Sequence, residues 1–547
     1  MDAIVAKPYI AAAEQKLHYN DYVLTLADQI LTELAAALNR FHETEHSKRY
    51  WNIVLGHWLQ RYVSVAFDRY QTLDEAIKNY EVDGTTIFEA TDYSLATRDS
   101  ESFIWACNDD SWNHVLLSRL ITYRGDIDAN VDSTSLRGSF SVIRKETRER
   151  RAQIIRLIRK IVNRVNPILA RDTDAFIVNS YLPIWEGIKL QLALGQVPQA
   201  WQSPSIASAP PDTGARANVI LEHGQHKGFE NYVRRQLPAL IPTCYLEGYR
   251  AIARKAEALP WPKRPKFIYT SNNFDMDEFF KVWTGSKIEI GVPYYIGQHG
   301  GYQPNRARPK QPEIVISDRF LTWGWTDERK ENIPAFAFKI VATRPKEFDP
   351  KGGLLLIEQP LPHWLGPLYL NTLDYYEYGV YAESQFCFAE ALPTRIHREL
   401  TVRLHGTFKR LAWSDEERWR DRSPNTKIEP GIAHIQKLIA KSRLVVHSYD
   451  STGIRETLAL NIPTMCFWSG GLDHLLPSAR PYYELLNSAE ILIGSPKRAA
   501  ELVALRWDNI SKWWESTSVQ NAREEFCSQY ARTEAHPVRT MKRLLTS

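Results

Sequence analysis

From about residue 216 the chain runs in short apolar stretches, each closed by small or polar residues. KFIYTSNN (266–273), VPYYIGQHGG (292–301), EIVISDRFLTWGW (313–325), GGLLLIEQP (352–360), LTVRLHG (400–406), SRLVVHSYD (442–450) and NIPTMCFW (461–468) all follow this pattern. Helix-like stretches such as DMDEFFKVW (275–283) fall between several of them. That alternation predicts parallel sheets in doubly wound α/β domains. The first part of the chain has a different period. Leu24, Leu26, Ile30, Leu31 and Leu34 form one apolar stripe, and Ile53 to Phe67 form another. Both predict helices within residues 20–80. In WNIVLGHWLQRYVSVAFDRY (51–70) the spacing of Trp51, Trp58, Tyr62 and Phe67 fits a buried helix.

The stretch RKETRERRAQIIRLIRKIVNR (144–164) predicts a basic helix with Ile154, Leu157, Ile158 and Ile161 on one face. Such a helix can lie on anionic lipid, or pack by its apolar face within the protein. SPSIASAPPDTGA (203–215) reads as a linker. The expected division is a helical N-terminal region (1–215), an N-terminal α/β domain (216–345), a C-terminal α/β domain (346–500) and closing helices (501–547). Composition removes several classes. The net charge of +4 gives no argument for nucleic acid. The five cysteines are far apart and show neither zinc-ligand spacing nor a disulfide framework, so a reducing compartment, the cytoplasm, is expected. The first residues carry no signal-peptide core. No segment approaches the ~18 to 20 apolar residues of a membrane span. The 17 Trp and 26 Tyr suit a large core, or flat faces for sugars.

In an open parallel sheet, ligands bind outside the carboxyl ends of the strands. The residues that follow each apolar run are therefore the candidates. Ser451, Thr452 and Gly453 would start a helix, where free N–H groups and the dipole favour an anion such as phosphate. Gly453 allows close approach to the backbone. Glu456, in the first turn, could accept bonds from a ribose. Plain helix capping is the alternative, and it leaves His447 and Asp450 unused. Arg403 interrupts an apolar run, and with His405 it brings positive charge for a phosphate. In GQHGG, His299 stands between glycines, where a histidine suits proton transfer or a bond within the turn. Asn273 closes an earlier run. Glu313 and Asp318 supply carboxylates, although Asp318 could simply pair with Arg319. There is no GxxxxGK[ST], GxGxxG, HExxH or GxSxG.

WNIVLGHWLQRY, DDSWNHVLLSRLI, IGQHGG, ISDRFLTWGW and SRLVVHSYDSTGIRETLALNIPTMCFW together resemble a family of bacterial transferases found in O-antigen and surface-polysaccharide gene clusters. The resemblance covers roughly residues 50 to 470. It implies a GT-B-like pair of Rossmann-type domains behind the helical N-terminal region, with the acceptor and catalytic side in the first domain and the nucleotide in the second. More remotely, the chain is similar to the Kdo transferases of capsule and lipopolysaccharide assembly, which use CMP-Kdo. Carried over, His447, Ser451, Thr452 and Glu456 would meet the nucleotide, and Gln298, His299 and Gly300 the reaction centre. The Kdo transferases of capsule assembly place an acidic-Asp-Gly motif, with the Asp as nucleophile, near Gln298-His299-Gly300. With no carboxylate there, neither double displacement by that Asp nor Kdo itself is implied, and Glu313 would substitute only if the turn folded back.

The expected activity is glycosyl transfer from a nucleotide sugar, CMP-linked sugars among the candidates, to a surface-glycan or lipid-linked acceptor. His299 would be the base or charge stabiliser. No cofactor or bound metal is implied. The expected place is the cytoplasm, with residues 144–164 as a peripheral contact with the inner membrane. A sugar-nucleotide epimerase and a non-catalytic glycan-binding protein remain as rival readings.

Overall fold

A computed structural model of the 547-residue chain describes residues 4, 6–10, 12–90, 92–140, 169–221, 227–301, 311–341, 348–364, 377–411, 413–468 and 470–547. The expected basic helix at 144–164 lies outside these residues. Two long helices open the chain, α1 (Ala13–His42) and α2 (Lys48–Asn79). Ser47 caps α2 by accepting a bond from Tyr50 N. The middle of α2 is buried all round, from Trp51 and Ile53 to Val65 and Phe67, which is why its sequence is apolar on every face. Helices α3 (Ser100–Ala106) and α4 (Asp110–Arg124) follow, capped by Asp99 and Asp109.

The first sheet has five parallel strands in chain order: β1 (Phe176–Val178), β2 (Ile268–Thr270), β3 (Tyr294–Gly297), β4 (Arg319–Thr322) and β5 (Asn332–Pro334). Helix α5 (Ile184–Ala193) follows β1, and α6 (Glu278–Glu289) joins β2 to β3. Edge strand β1 comes from residues expected to belong to the helical region. The run EIVI also departs from expectation. Pro312 opens a helical turn over Pro312–Ile316, and the strand starts only at Arg319.

The second sheet has six parallel strands, β6 (Gly353–Ile357), β7 (Leu400–Arg403), β8 (Lys427–Glu429), β9 (Ser442–His447), β10 (Thr464–Phe467) and β11 (Leu492–Ile493). Their order is β8-β7-β6-β9-β10-β11. The winding reverses between β6 and β9, as in a Rossmann sheet, and this opens a crevice at their carboxyl ends. Helix α7 (Thr452–Ala459) follows β9, and α8 (Arg480–Ser488) follows β10. Helix α9 (Thr517–Tyr530) then packs on α7 and α8. The chain crosses back to the first unit, where Arg532 N donates to Trp323 O at 2.9 Å and Ala337 N donates to Arg532 O at 2.8 Å. The last helix, α10 (Pro537–Thr546), lies beside α5.

Strand faces alternate as their pleat requires. Phe176, Ile268, Tyr294, Ile296 and Phe320 share a core with α2 and α6, while Ile177, Tyr269, Tyr295 and Leu321 share one with α5 and α10. The architecture is a GT-B-like pair of Rossmann-type α/β units with a helical N-terminal region.

Candidate functional site

The carboxyl edges of the two sheets meet. Gly301 N, at the end of GQHGG, donates to Thr452 Oγ1 of α7 at 2.9 Å. Gly301 also lies flat on Arg455: a Cβ there would sit 2.8 Å from Nε and closer still to Cδ. Arg455 is buried and cannot yield. Its Nη1 donates to Asp450 Oδ1 at 2.9 Å and to Ser451 O at 2.6 Å, and its Nη2 to Tyr483 OH. Asp450 also accepts from Tyr483 OH at 2.8 Å and faces His474 Nε2 at 3.3 Å. Burial pushes the Asp450 carboxyl up, but the Arg455 guanidinium and His474 together outweigh it and hold the group down at about 2. Asp450 was expected to meet a nucleotide. It is spent instead on a buried ion pair that fixes the exit of β9, and Arg455, its partner, gave no signal in the sequence.

The other residues of this stretch divide. Ser451 is the N-cap of α7, accepting from Ile454 N at 3.2 Å. His447 is buried beneath the first turn, with Ser451 Oγ 3.5 Å and Thr457 Oγ1 3.4 Å from its ring nitrogens. Burial lowers it to about 3, so the ring is neutral, and His447, expected to meet the nucleotide, lies beneath the helix start. Gly453 serves His447: a Cβ would lie 2.8 Å from its Cε1, so close packing, not ligand approach, explains the glycine. Glu456 points towards the first unit. Burial raises its carboxyl, opposed by Lys339.

At the crevice itself stand Glu358 and Ser448. Ser448 Oγ donates to Ile357 O at 3.0 Å, and Tyr381 OH bridges Ser448 Oγ at 2.9 Å and Gln359 N at 2.6 Å. Glu358 is buried, with Trp419 Nε1 donating to Oε1 at 2.9 Å. Burial and then nearby Asp415 push its carboxyl up to about 8. The strand-exit rule marks Glu358 as readily as Arg403, but a glutamate after LLLI reads as an ordinary turn residue. Arg403 and His405 stand beside this crevice at the exit of β7. Arg403 Nε is 3.7 Å from Glu429 Oε2 of neighbouring β8, and His405 Nδ1 lies 2.7 Å from Thr407 Oγ1. His405 is exposed and Arg403 half-buried.

On the first unit, Gln298 is a brace. Its Nε2 donates to Gly300 O at 2.7 Å, and its Oε1 accepts from Trp323 N and Trp325 Nε1, both at 2.8 Å. These bonds set the shape of GQHGG and leave Gln298 buried behind it. Gly300 is likewise buried backbone. His299 is half-exposed, with its ring 5.7 Å from that of Phe274. Phe274 in turn sits 5.2 Å from the ring of His57 on α2. The loop after β2 is clamped by Arg61, which grips both oxygens of Asp275 at 2.5 and 2.6 Å, and by Lys281 Nζ, 2.9 Å from Asp275 O. Glu313 is buried with its carboxylate 3.5 Å from His57 Nε2. It is thus turned to α2 as well. Asn273 Nδ2 donates to Asp277 Oδ2 at 2.7 Å and lines a cleft of about 440 Å³ with Asn272, Arg98, Glu101 and Ser203. Asp318 lies at the opposite, amino edge of the sheet. It receives Tyr294 N at 2.8 Å and Arg49 Nη2 at 2.7 Å, so it has no part in a carboxyl-edge site.

The helical region closes the side of the arrangement. Asp110 Oδ1 meets His363 Nε2 and Trp364 Nε1, each at 2.8 Å, and Arg69 stands 4.9 Å over the Trp364 ring. Among the described residues no group of His, Cys, Asp and Glu is placed to hold a metal ion.

A family model described as "LIC12162 family transferase" matches residues 2–545. No curated protein matches the chain. Among solved structures it is similar to Acinetobacter baumannii MurG, at 11% identity over 84% of this chain and 99% of that one, TM-score 0.32. It is similar to a Listeria monocytogenes protein assigned as a UDP-N-acetylglucosamine 2-epimerase, at 12% identity over 68% and 94%, TM-score 0.36. It is also similar to WaaG, a glycosyltransferase involved in lipopolysaccharide biosynthesis, at 13% identity over 84% and 100%, TM-score 0.24. At these scores the strand order of the chain itself carries the fold.

Proposed function

This chain belongs to the LIC12162 family of transferases and is an enzyme, and from that premise we propose that it moves a sugar from a nucleotide sugar to a surface-polysaccharide or O-antigen acceptor. The observation that supports this reading most is the bond from Gly301 N to Thr452 Oγ1. It joins a half-exposed histidine turn on one sheet edge to a helix start on the other, so donor and acceptor would meet between two units.

In this reading the nucleotide lies in the crevice between β6 and β9. Arg403 and His405 face its phosphates, and the N–H groups at the start of α7 add to the favourable field. The cleft beside Asn273 takes the acceptor. His299 takes the proton from the attacking hydroxyl as the sugar–phosphate bond breaks and the nucleotide leaves. Positive charge at the phosphates stabilises that leaving group. Gln298 acts through the turn it braces. The donor is a substrate, and no further cofactor is proposed. The reaction takes place in the cytoplasm, beside the inner membrane if the acceptor is lipid-linked.

Calorimetry of CMP, UDP and GDP against the full chain tests the donor side. One of them is expected to bind, and Arg403→Ala to weaken it about tenfold or more, the scale of a charge-assisted bond. Release of nucleotide from the matching sugar donor should then need an acceptor, and His299→Ala should abolish that release while binding persists. Binding of none of the three, or acceptor-independent turnover, sinks the proposal.

A further inference from the structure

Helix α5 is built inside out. Ile184 is 75% exposed, Trp185 70% and Leu192 57%, and Ile188 is half-exposed. At 3.6 residues per turn these four share an arc of roughly 100°. The opposite side, through Leu190, joins the core under the first sheet. A surface helix normally turns its polar side to water. Here the outward arc is apolar, broken only at its rim by Lys189, which pairs with Glu186 at 2.7 Å.

The neighbouring helix supplies charge. α10 lies beside α5 on the same face of the sheet, burying Met541 and Leu545 in the same core. Its exposed residues include Arg539, Lys542 and Arg543, which share one outward arc. A fourth cation, exposed Lys339, stands 4.3 Å over the Tyr181 ring just ahead of α5. Two adjacent helices thus present an apolar ridge with an interfacial tryptophan and a cationic flank. Aliphatic and indole groups that enter the headgroup boundary, next to clustered Arg and Lys, are what an anionic bilayer surface binds.

We propose that α5 and α10 form a peripheral docking face for an anionic lipid surface. α5 starts just after β1, at the same carboxyl edge that carries GQHGG. Docking by Ile184 and Trp185 therefore sets the acceptor side of the molecule against the bilayer. The proposal uses none of residues 144–164 and does not depend on the chemistry proposed above.

Flotation of the full chain with vesicles tests it without any turnover. Vesicles of equal parts phosphatidylcholine and phosphatidylglycerol are expected to carry the protein, and pure phosphatidylcholine to carry far less. Ile184→Ser/Trp185→Ser should lower the partition at least about tenfold, as should Arg539→Glu/Lys542→Glu/Arg543→Glu. Ile432→Ser, at an exposed site on the second unit, should float as the parent does. The altered side chains are exposed, so melting temperatures should stay put. Three results would each overturn the proposal: no flotation with either vesicle, a serine double variant that floats like the parent, or sedimentation velocity showing that the ridge joins two copies and that the double variant separates them.

Discussion

Glu358 shows how a single residue can work against stability. Its ordinary value is 4.5, and in the fold burial and Asp415 raise it to about 8. A carboxyl raised on folding stabilises the fold fully below its unfolded value, and that contribution drains away as pH climbs from 4.5 towards 8. By neutral pH the loss is about 3 kcal/mol on linkage arithmetic. Glu358→Gln keeps an acceptor for Trp419 Nε1 and removes the titration. The variant is expected to be more stable than the parent at pH 7 by roughly that amount, with the gap closing at pH 5. Denaturant unfolding at the two pH values measures it. An equal difference at both would mean that the carboxyl does not titrate as its surroundings imply.

At the scale of elements, much of the fold was legible and its reasons are physical. Parallel strands buried on both faces appear as unbroken apolar runs, and LLLI (354–357) and LVV (444–446) are such runs, whereas LTVRL alternates because Thr401 and Arg403 are only half-buried. β1 was absorbed into the helical region because its short run, AFIV (175–178), stands alone ahead of the 203–215 linker, apart from the alternation that begins near residue 216. EIVI looked like a strand because apolar runs of that length are ambiguous, and Pro312 decided for a helical turn. Site residues were half-legible for a related reason. A polar group after a strand looks the same whether it meets a ligand or a distant part of its own chain. Gln298 meets Trp323 and Trp325, and Asp450 meets Arg455 and Tyr483. Only the fold shows that these two are engaged within the chain. Gly453 illustrates the point on α7 and can be tested. Alanine there gains about 1 kcal/mol of helix propensity. Its Cβ would be forced to within 2.8 Å of His447 Cε1, and overpacking costs about 1–3 kcal/mol. Gly453→Ala is expected to lower the melting temperature, and a Gly453→Ala/His447→Ala pair to restore part of the loss attributable to the clash. A Gly453→Ala protein that melts higher than the parent would return the glycine to a ligand-facing role.

The molecule as a whole is held shut at a few places between its units, and the Gly301 contact is the one nearest the candidate chemistry. Arg455 cannot move aside for a larger residue at 301, because parting it from Asp450 would strand a buried charge at about 3–5 kcal/mol. Opening the seam between GQHGG and α7 is the cheaper response. Gly301→Ala should therefore leave each unit folded while tilting one against the other. Nucleotide affinity, which the proposed reading assigns to the second unit alone, is expected to stay within about twofold, well under 1 kcal/mol. Turnover, which in the proposed reading needs His299 aligned with a donor on the other unit, should fall about a hundredfold, the usual result of misplacing reacting groups by an ångström. Small-angle scattering should show a larger radius of gyration for the variant. Thr452→Ala, which removes only the Oγ1 acceptor, is the milder version and should cost about 1 kcal/mol at the seam. If Gly301→Ala keeps both the parent's scattering profile and its turnover, the contact between the sheets is incidental, and the two edges do not act as one site.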